Sequence, residues 1–247
     1  MRQTSSTTVP VITVDGPSAS GKGTVSRHLA DKLAWHLLDS GALYRLTGLA
    51  ALLQGIALDD ETALKKVAEG LDIEFRSINN EVNSPIEDSS ESSARADMSK
   101  TAIFLFGKDV TRDIRSETCS QAASKVAVLN SVRQALLTRQ RDFRCHPGLI
   151  ADGRDMGSVV FKDASLKVFI TASVQERARR RYEQLIGQQI SVSLPDLLAE
   201  IQERDARDSS RSSSPLVQPA GSVLIDTTHM TVSMVVGQIL SLWEQQT

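Results

Sequence analysis

Cysteine and histidine are scarce in this chain: 247 residues hold two Cys and four His. Cys119 and Cys145 form no CxxC pair. Neither a disulfide framework nor a zinc site is expected, and a reducing cytoplasm fits this usage. Charge of one sign is also lacking. Lys and Arg number 28 against 30 Asp and Glu, a formal net charge of −2 with a pI near 6.1. That balance excludes the broad basic face by which proteins hold nucleic acid. No apolar run reaches the length of a membrane span. The longest candidate, Leu46 to Leu58, is broken by Thr47, Gly48, Gln54 and Gly55, and the opening MRQTSSTTVP holds nothing like a secretory signal. A cytoplasmic protein, with neither membrane nor nucleic acid as partner, is the expectation. Internal repeats are absent too, while 40% hydrophobic and 23% charged residues exclude a disordered or collagen-like chain.

What the chain has in excess is arginine. Nineteen of the 28 cationic residues are Arg, and twelve of those fall between Arg133 and Arg211. The planar guanidinium fork matches phosphate and carboxylate oxygens two at a time, so an Arg-rich half in a neutral protein points to small anionic ligands. Compositional bias is the plain alternative.

Hydrophobic patterning predicts an α/β fold. Val9 to Asp15 reads as a buried β-branched strand, and Thr24 to Leu33, with Val25, Leu29 and Leu33 four apart, reads as the helix that follows. Further short apolar runs at Trp35 to Leu38, Gly148 to Ala151, Leu166 to Ile170 and Val223 to Ile225 are each followed by a helical pattern. Strands alternating with helices imply a parallel sheet, here of five strands, with helices on both faces and ligands at the carboxyl ends of the strands. Two stretches break the alternation. Asp72 to Phe75 and Ala102 to Phe106 suggest a small inserted antiparallel sheet, with the Ser- and Asn-rich Ser77 to Lys100 as a surface loop inside it. Arg177 to Arg211 reads as two Arg-dense helices separated by a turn at Gly187 to Pro195, and Met230 to Gln245 as a closing helix.

Between the first strand and its helix lies GPSASGKGT, residues 16 to 24, a full G-x-x-x-x-G-K match. Its glycines turn successive N–H groups inward at a helix N-terminus, where they cradle a polyphosphate within reach of the Lys22 ammonium. Gly16, Pro17, Ser18, Ala19, Ser20, Gly21, Lys22, Gly23 and Thr24 are therefore the candidate ATP site. The position after Lys22 is Gly23, so the hydroxyl that usually meets Mg²⁺ comes one residue late, at Thr24, which is expected to act from a shifted place or through water.

This GKGT ending, with WHLLDSGALYR (35 to 45), DVTRDIRSETCSQAASKVA (109 to 127), VRQALLTRQR (132 to 141), PGLIADGRDMGSVVF (147 to 161) and LLAEIQERDARDSSR (197 to 211), closely resembles bacterial-type cytidylate kinase. The blocks span nearly the whole chain in order. The resemblance implies a P-loop kinase fold with a small inserted monophosphate-binding subdomain and a helical Arg-rich lid. One domain is then expected over 1–247, with its core at about 9–70, 111–176 and 212–247, the insert at about 71–110 and the lid at about 177–211. It implies transfer of the ATP γ-phosphoryl group to CMP or dCMP with Mg²⁺, by a monomer.

Residue by residue, the resemblance places Ser40, Arg45 and Arg154 at the acceptor phosphate and Asp155 at the exocyclic amine of cytosine. Ser124 and Arg133 would complete the base pocket. Arg204 and Arg211 would reach phosphates, Asp208 the ribose, and Arg177 and Arg181 the transition state beside Lys22. A carboxylate suits cytosine because N4 donates a hydrogen bond where uracil presents a carbonyl. Plainer readings stand beside these: Asp39-Ser40 as a helix N-cap, Asp152, Arg154 and Asp155 as a structural ion pair, and Arg204, Arg207, Asp208 and Arg211 as a solvated helix face.

Rival functions fit less well. A GTPase switch needs an Asn-Lys-x-Asp, which none of Asn79, Asn80, Asn83 or Asn130 begins. A kinase for UMP or shikimate would not need the DGRD block, and a binding module without activity would be expected to lack Lys22.

Overall fold

The computed structural model describes residues 8–77, 101–187, 189–210 and 216–246. Most of the Ser- and Asn-rich stretch and Arg211 lie outside the described residues. The chain forms two compact units, residues 1–41 with 137–247 and residues 42–136. This division differs from the expected one: the second unit holds the small sheet together with helices that had been grouped with the core.

The first unit is built on a five-stranded parallel sheet. Its strands are β1 (Val11–Asp15), β2 (His36–Asp39), β6 (Leu149–Gly153), β7 (Leu166–Thr171) and β8 (Val223–Asp226), in the order β2-β6-β1-β7-β8. The sequence ran the first strand back to Val9, but Pro10 contributes only a carbonyl, accepting from Leu149 N–H, and pairing begins at Val11. The central strands β1 and β6 are buried along their whole length, which is why they read as continuous apolar runs. Helix α1 (Lys22–Leu33) lays Val25, Leu29 and Ala30 on the sheet beside Ile12, Val14 and Val168. The C-terminal helix α8 (Val232–Glu244) adds Val235, Val236 and Ile239 to the same cluster. Burying each such aliphatic side chain contributes roughly 1.5–3 kcal/mol, so this layer supports the loops above it.

Helices α6 (Val174–Gly187) and α7 (Leu194–Ser209) are the Arg-dense pair, packed against each other. Pro195 lies in the first turn of α7, where a missing N–H costs nothing, so the expected turn ends at the N-cap Ser193, two residues before it.

In the second unit β3 (Ile73–Ser77), β4 (Thr101–Leu105) and the short β5 (Lys108–Asp109) form an antiparallel sheet. Helix α3 (Glu61–Glu69) is capped by Asp60, which accepts from Ala63 N–H. Helix α4 (Glu117–Val126) is capped by Ser116. Helix α2 (Ser40–Leu53) passes α4 at Gly48, where an added Cβ would come within 2.9 Å of Ala122. Helix α5 (Asn130–Asp142) follows. Among the described residues no helix is long and apolar enough to cross a membrane.

Candidate active site

Strands β1 and β6 run parallel and side by side, with Asp15 opposite Gly153. The two motif loops, GPSASGKGT after β1 and GRD after β6, therefore leave the same edge of the sheet. Some 140 residues separate the two loops in sequence, yet they meet in space because adjacent parallel strands deliver their carboxyl ends together.

The first loop is held by close packing and by its own carbonyls. Gly16 passes so near β7 that a Cβ would stand 2.1 Å from the Ile170 carbonyl oxygen. Ser20 Oγ and Lys22 Nζ both donate to the Pro17 carbonyl, at 3.0 and 3.1 Å. Ala19 and Gly21 adopt left-handed backbone angles, φ 57° and 87°, and Gly21 opens α1 without a side-chain cap. The first N–H groups of α1 therefore lack the usual capping oxygen, the condition for binding an anion there. Ser18 Oγ is buried with no hydrogen-bond partner, a further donor for such an anion.

Lys22 shares its surroundings with Asp152, Arg154, Arg204 and Asp39, all close enough to act on it electrostatically. Loss of solvent around the ammonium pushes its pKa down, and the Asp152 carboxylate opposes that shift. Burial likewise pushes the Asp152 carboxyl up, opposed first by Lys22. Both charges are uncomfortable as they stand, and a polyanion brought to Lys22 stabilises its charged form. Asp152 Oδ1 is buried and unpartnered, while a Cβ on Gly23 would come within 3.2 Å of Asp152 Oδ2. The glycine that displaces the expected hydroxyl thus leaves room for this carboxylate. A buried, unsatisfied carboxylate oxygen beside a phosphate loop fits a hard, oxygen-seeking cation such as Mg²⁺ or a water bound to it. Thr24 lies exposed on the first turn of α1.

Arg154 donates from Nε to Asp208 Oδ2, joining β6 to α7, and Asp208 is buried to 1% exposure. Arg204, one turn before Asp208, is half-buried, whereas Arg207 is exposed and pairs with Glu203. The run of four charged residues is therefore two inward residues and one solvated one among those described. Asp155 is buried at the start of a five-residue π-turn, Met156 to Val160, and its carbonyl accepts from Val159 and Val160 N–H. Ser40 is buried and donates to Gln140 Oε1 at 2.8 Å, so its hydroxyl has a fixed partner beyond the expected N-cap position.

On α6, Arg177 is 3% exposed and heavily engaged. Its Nε donates to Ala172 O, Nη1 to Ser18 O at 3.3 Å, and the two Nη groups clasp both oxygens of Asp205. Arg180, to which the sequence assigned no role beside Arg177 and Arg181, donates to Ser20 O at 3.1 Å and to Thr227 O. Helix α6 thus grips two carbonyls of the phosphate loop. Arg181, half-buried, donates to Gln184 Oε1.

The remaining expected residues belong to the second unit. Arg45 is half-buried on α2, and its carbonyl accepts from the Cys119 thiol. Arg133 is 8% exposed, donates to the Ala127 carbonyl at 3.3 Å and lies 5.9 Å over the Tyr44 ring. Ser124 is half-buried on α4.

Three functional candidates were missed. Asp15 had a signal, a carboxylate closing an apolar strand, whereas Asp205 is inseparable by spacing from its charged neighbours in ERDARD. Arg180 is one of three successive arginines, and only the fold decides which faces the loop.

The cytidylate kinase family model matches residues 12–245. The cytidylate kinase of Chromobacterium violaceum is 49% identical over 239 residues, 97% of each chain. That of Stutzerimonas stutzeri is 51% identical over 233 residues, 94% of each chain. The Aeromonas salmonicida protein of the same name is 47% identical over 237 residues, 96% of this chain and 95% of that one. With the parallel sheet, the phosphate loop and the DGRD turn in place beneath matches of this extent, the chain belongs to the cytidylate kinase family.

Proposed function

We propose that the protein transfers the γ-phosphoryl group of ATP to the α-phosphate of CMP or dCMP, giving ADP and CDP or dCDP. The observation that carries this reading is the adjacency of β1 and β6, which delivers the phosphate loop and the DGRD turn to one edge of the sheet. Donor and acceptor are both polyanions, so alignment and charge neutralisation are the protein's work. No general base is required, because the acceptor phosphate is already an anion near neutral pH.

Residues 16 to 24 bind the ATP phosphates, with Lys22 on the β and γ groups. Bound Mg²⁺ supplies charge neutralisation between those phosphates, and Asp152 and Thr24 are the groups to hold it through water. Ser40, Arg45 and Arg154 take the acceptor phosphate. Asp155 accepts from cytosine N4, with Ser124 and Arg133 on the pyrimidine, while Arg204, Asp208 and Arg211 serve phosphate and ribose. Arg181 joins Lys22 on the transferring group. Arg177 acts through the loop it grips, since its donors are taken by Ala172, Ser18 and Asp205.

A coupled ADP-release assay over CMP, dCMP, UMP, AMP and GMP tests the reading, with CMP or dCMP expected to lead. Asp155→Ala is expected to raise KM for CMP far more than KM for ATP. UMP or AMP outpacing CMP, or equal effects of the substitution on both KM values, would refute the base assignment.

A further inference from the structure

Asp15 stands where the two motif loops meet, and the proposed mechanism does not use it. Its side chain has no solvent exposure. One carboxylate oxygen accepts from Met156 N–H at 2.8 Å and the other from Gly157 N–H at 2.8 Å. These are the two N–H groups immediately after Asp155. The Asp155 carbonyl is held in turn by Val159 and Val160 N–H, so the residue is fastened on its C-terminal side by both peptide faces.

Asp155 has φ −143° and ψ 24°, and the turn that follows closes with Phe161 N–H on the Met156 carbonyl, a π-type bond that is rare and concentrated at functional sites. A carboxylate accepting two backbone N–H groups is a charge-assisted clamp, stronger than neutral pairing and fixed in direction. Packing reinforces it. A Cβ on Gly157 would meet Thr13 Oγ1 at 2.8 Å and Asp15 Oδ2 at 3.3 Å, so only glycine lets this backbone lie against β1.

We infer that Asp15 is a positioning residue for base selection: by clamping the Met156 and Gly157 N–H groups it sets the direction in which Asp155 presents its carboxylate to the pyrimidine. The inference rests on the reading that Asp155 accepts from cytosine N4. Asp15 also directly precedes Gly16, so a purely structural role would disturb ATP and CMP alike, whereas a positioning role falls on the nucleobase side.

The test is Asp15→Asn, which keeps the shape but turns an amide NH₂ toward one of the two N–H groups, beside Asp155→Ala and the wild type. For Asp15→Asn we expect KM for CMP to rise about tenfold or more, as for a buried N–H left without an acceptor. The preference for CMP over UMP in kcat/KM should fall by a similar factor, with KM for ATP within twofold. Hydrogen exchange in the segment 153–160 should quicken. Gly157→Ala, which pushes on the same contact from the other side while keeping the carboxylate, should give the same pattern and serves if Asp15→Asn does not fold. Equal rises in both KM values, unchanged base preference, or unchanged exchange at 153–160 would overturn the inference while leaving an effect of Asp155→Ala intact. If Asp155→Ala itself leaves base preference unchanged, the underlying reading fails first and the positioning role with it.

Discussion

Replacing Asp205 by Ala probes the grip of helix α6 on the phosphate loop. Asp205 clasps Arg177 with both oxygens, and the Arg177 side chain is only 4% exposed against 24% for Asp205. Removing one partner of a fully buried pair costs about 3–5 kcal/mol, because a charge is left in a dry site. Asp205 sits nearer water, and Arg177 keeps the Ala172 and Ser18 carbonyls, so the expected loss is smaller, about 2–3 kcal/mol. For a chain of this size that lowers Tm by about 4–12 °C. Urea or thermal unfolding followed by circular dichroism measures it, with KM for ATP read alongside. KM should rise several-fold, because the guanidinium that holds Ser18 is no longer held itself. Arg177→Met combined with Asp205→Ala should recover part of the loss, since no unpaired charge remains, giving a coupling of at least about 1 kcal/mol. A loss under about 0.5 kcal/mol for Asp205→Ala, or strict additivity in the double variant, would refute the account of Arg177 as a brace.

Two further predictions concern the loop and the acid limb of stability. Gly16→Ala places a Cβ 2.1 Å from the Ile170 carbonyl, well inside contact distance, so the loop must move by about 1 Å. A displacement of that size is expected to lower kcat/KM for ATP by about 10²-fold, and activity within threefold of wild type would contradict it. Glu176 has its carboxyl held down to about 2, first by its hydrogen bond with Arg179 and then by Arg180. A depressed carboxylate contributes stability that is complete above its unfolded pKa, near 4.5, and is lost as pH falls from there toward 2. Glu176→Gln should therefore be less stable than wild type at pH 7, with the difference shrinking as the pH drops from 5 to 2. A difference that stays constant over that range would count against the ion pair.

The fold was legible wherever burial dictates composition. VITVD and LIADG could be read as strands because a strand covered on both faces is largely apolar along its length, and LKVFIT because its buried positions alternate at the strand period. The phosphate loop was legible for a different reason: few residue types tolerate the backbone of a tight anion-binding turn, so glycines and lysine at fixed spacing announce it. Helix α3 and the short β5 left weaker traces, since one is short and mostly solvated and the other has two residues, both exposed.

Partnership was not legible. Arg177, Arg179, Arg180 and Arg181 are alike as letters, yet one lies buried against Ser18 and Asp205, one pairs with Glu176 and Glu183 in solvent, one reaches Ser20 and Thr227, and one meets Gln184. Rotation around a helix axis of 100° per residue separates these fates, and only the packing of α6 sets where that rotation starts. Asp15 shows the same limit. By itself the sequence determined the strand it ends and the loop it precedes, through local rules of burial and backbone freedom. That its carboxylate would meet the N–H groups of Met156 and Gly157, some 140 residues later, was decided by the tertiary structure alone, because the order in which parallel strands assemble is a property of the whole sheet.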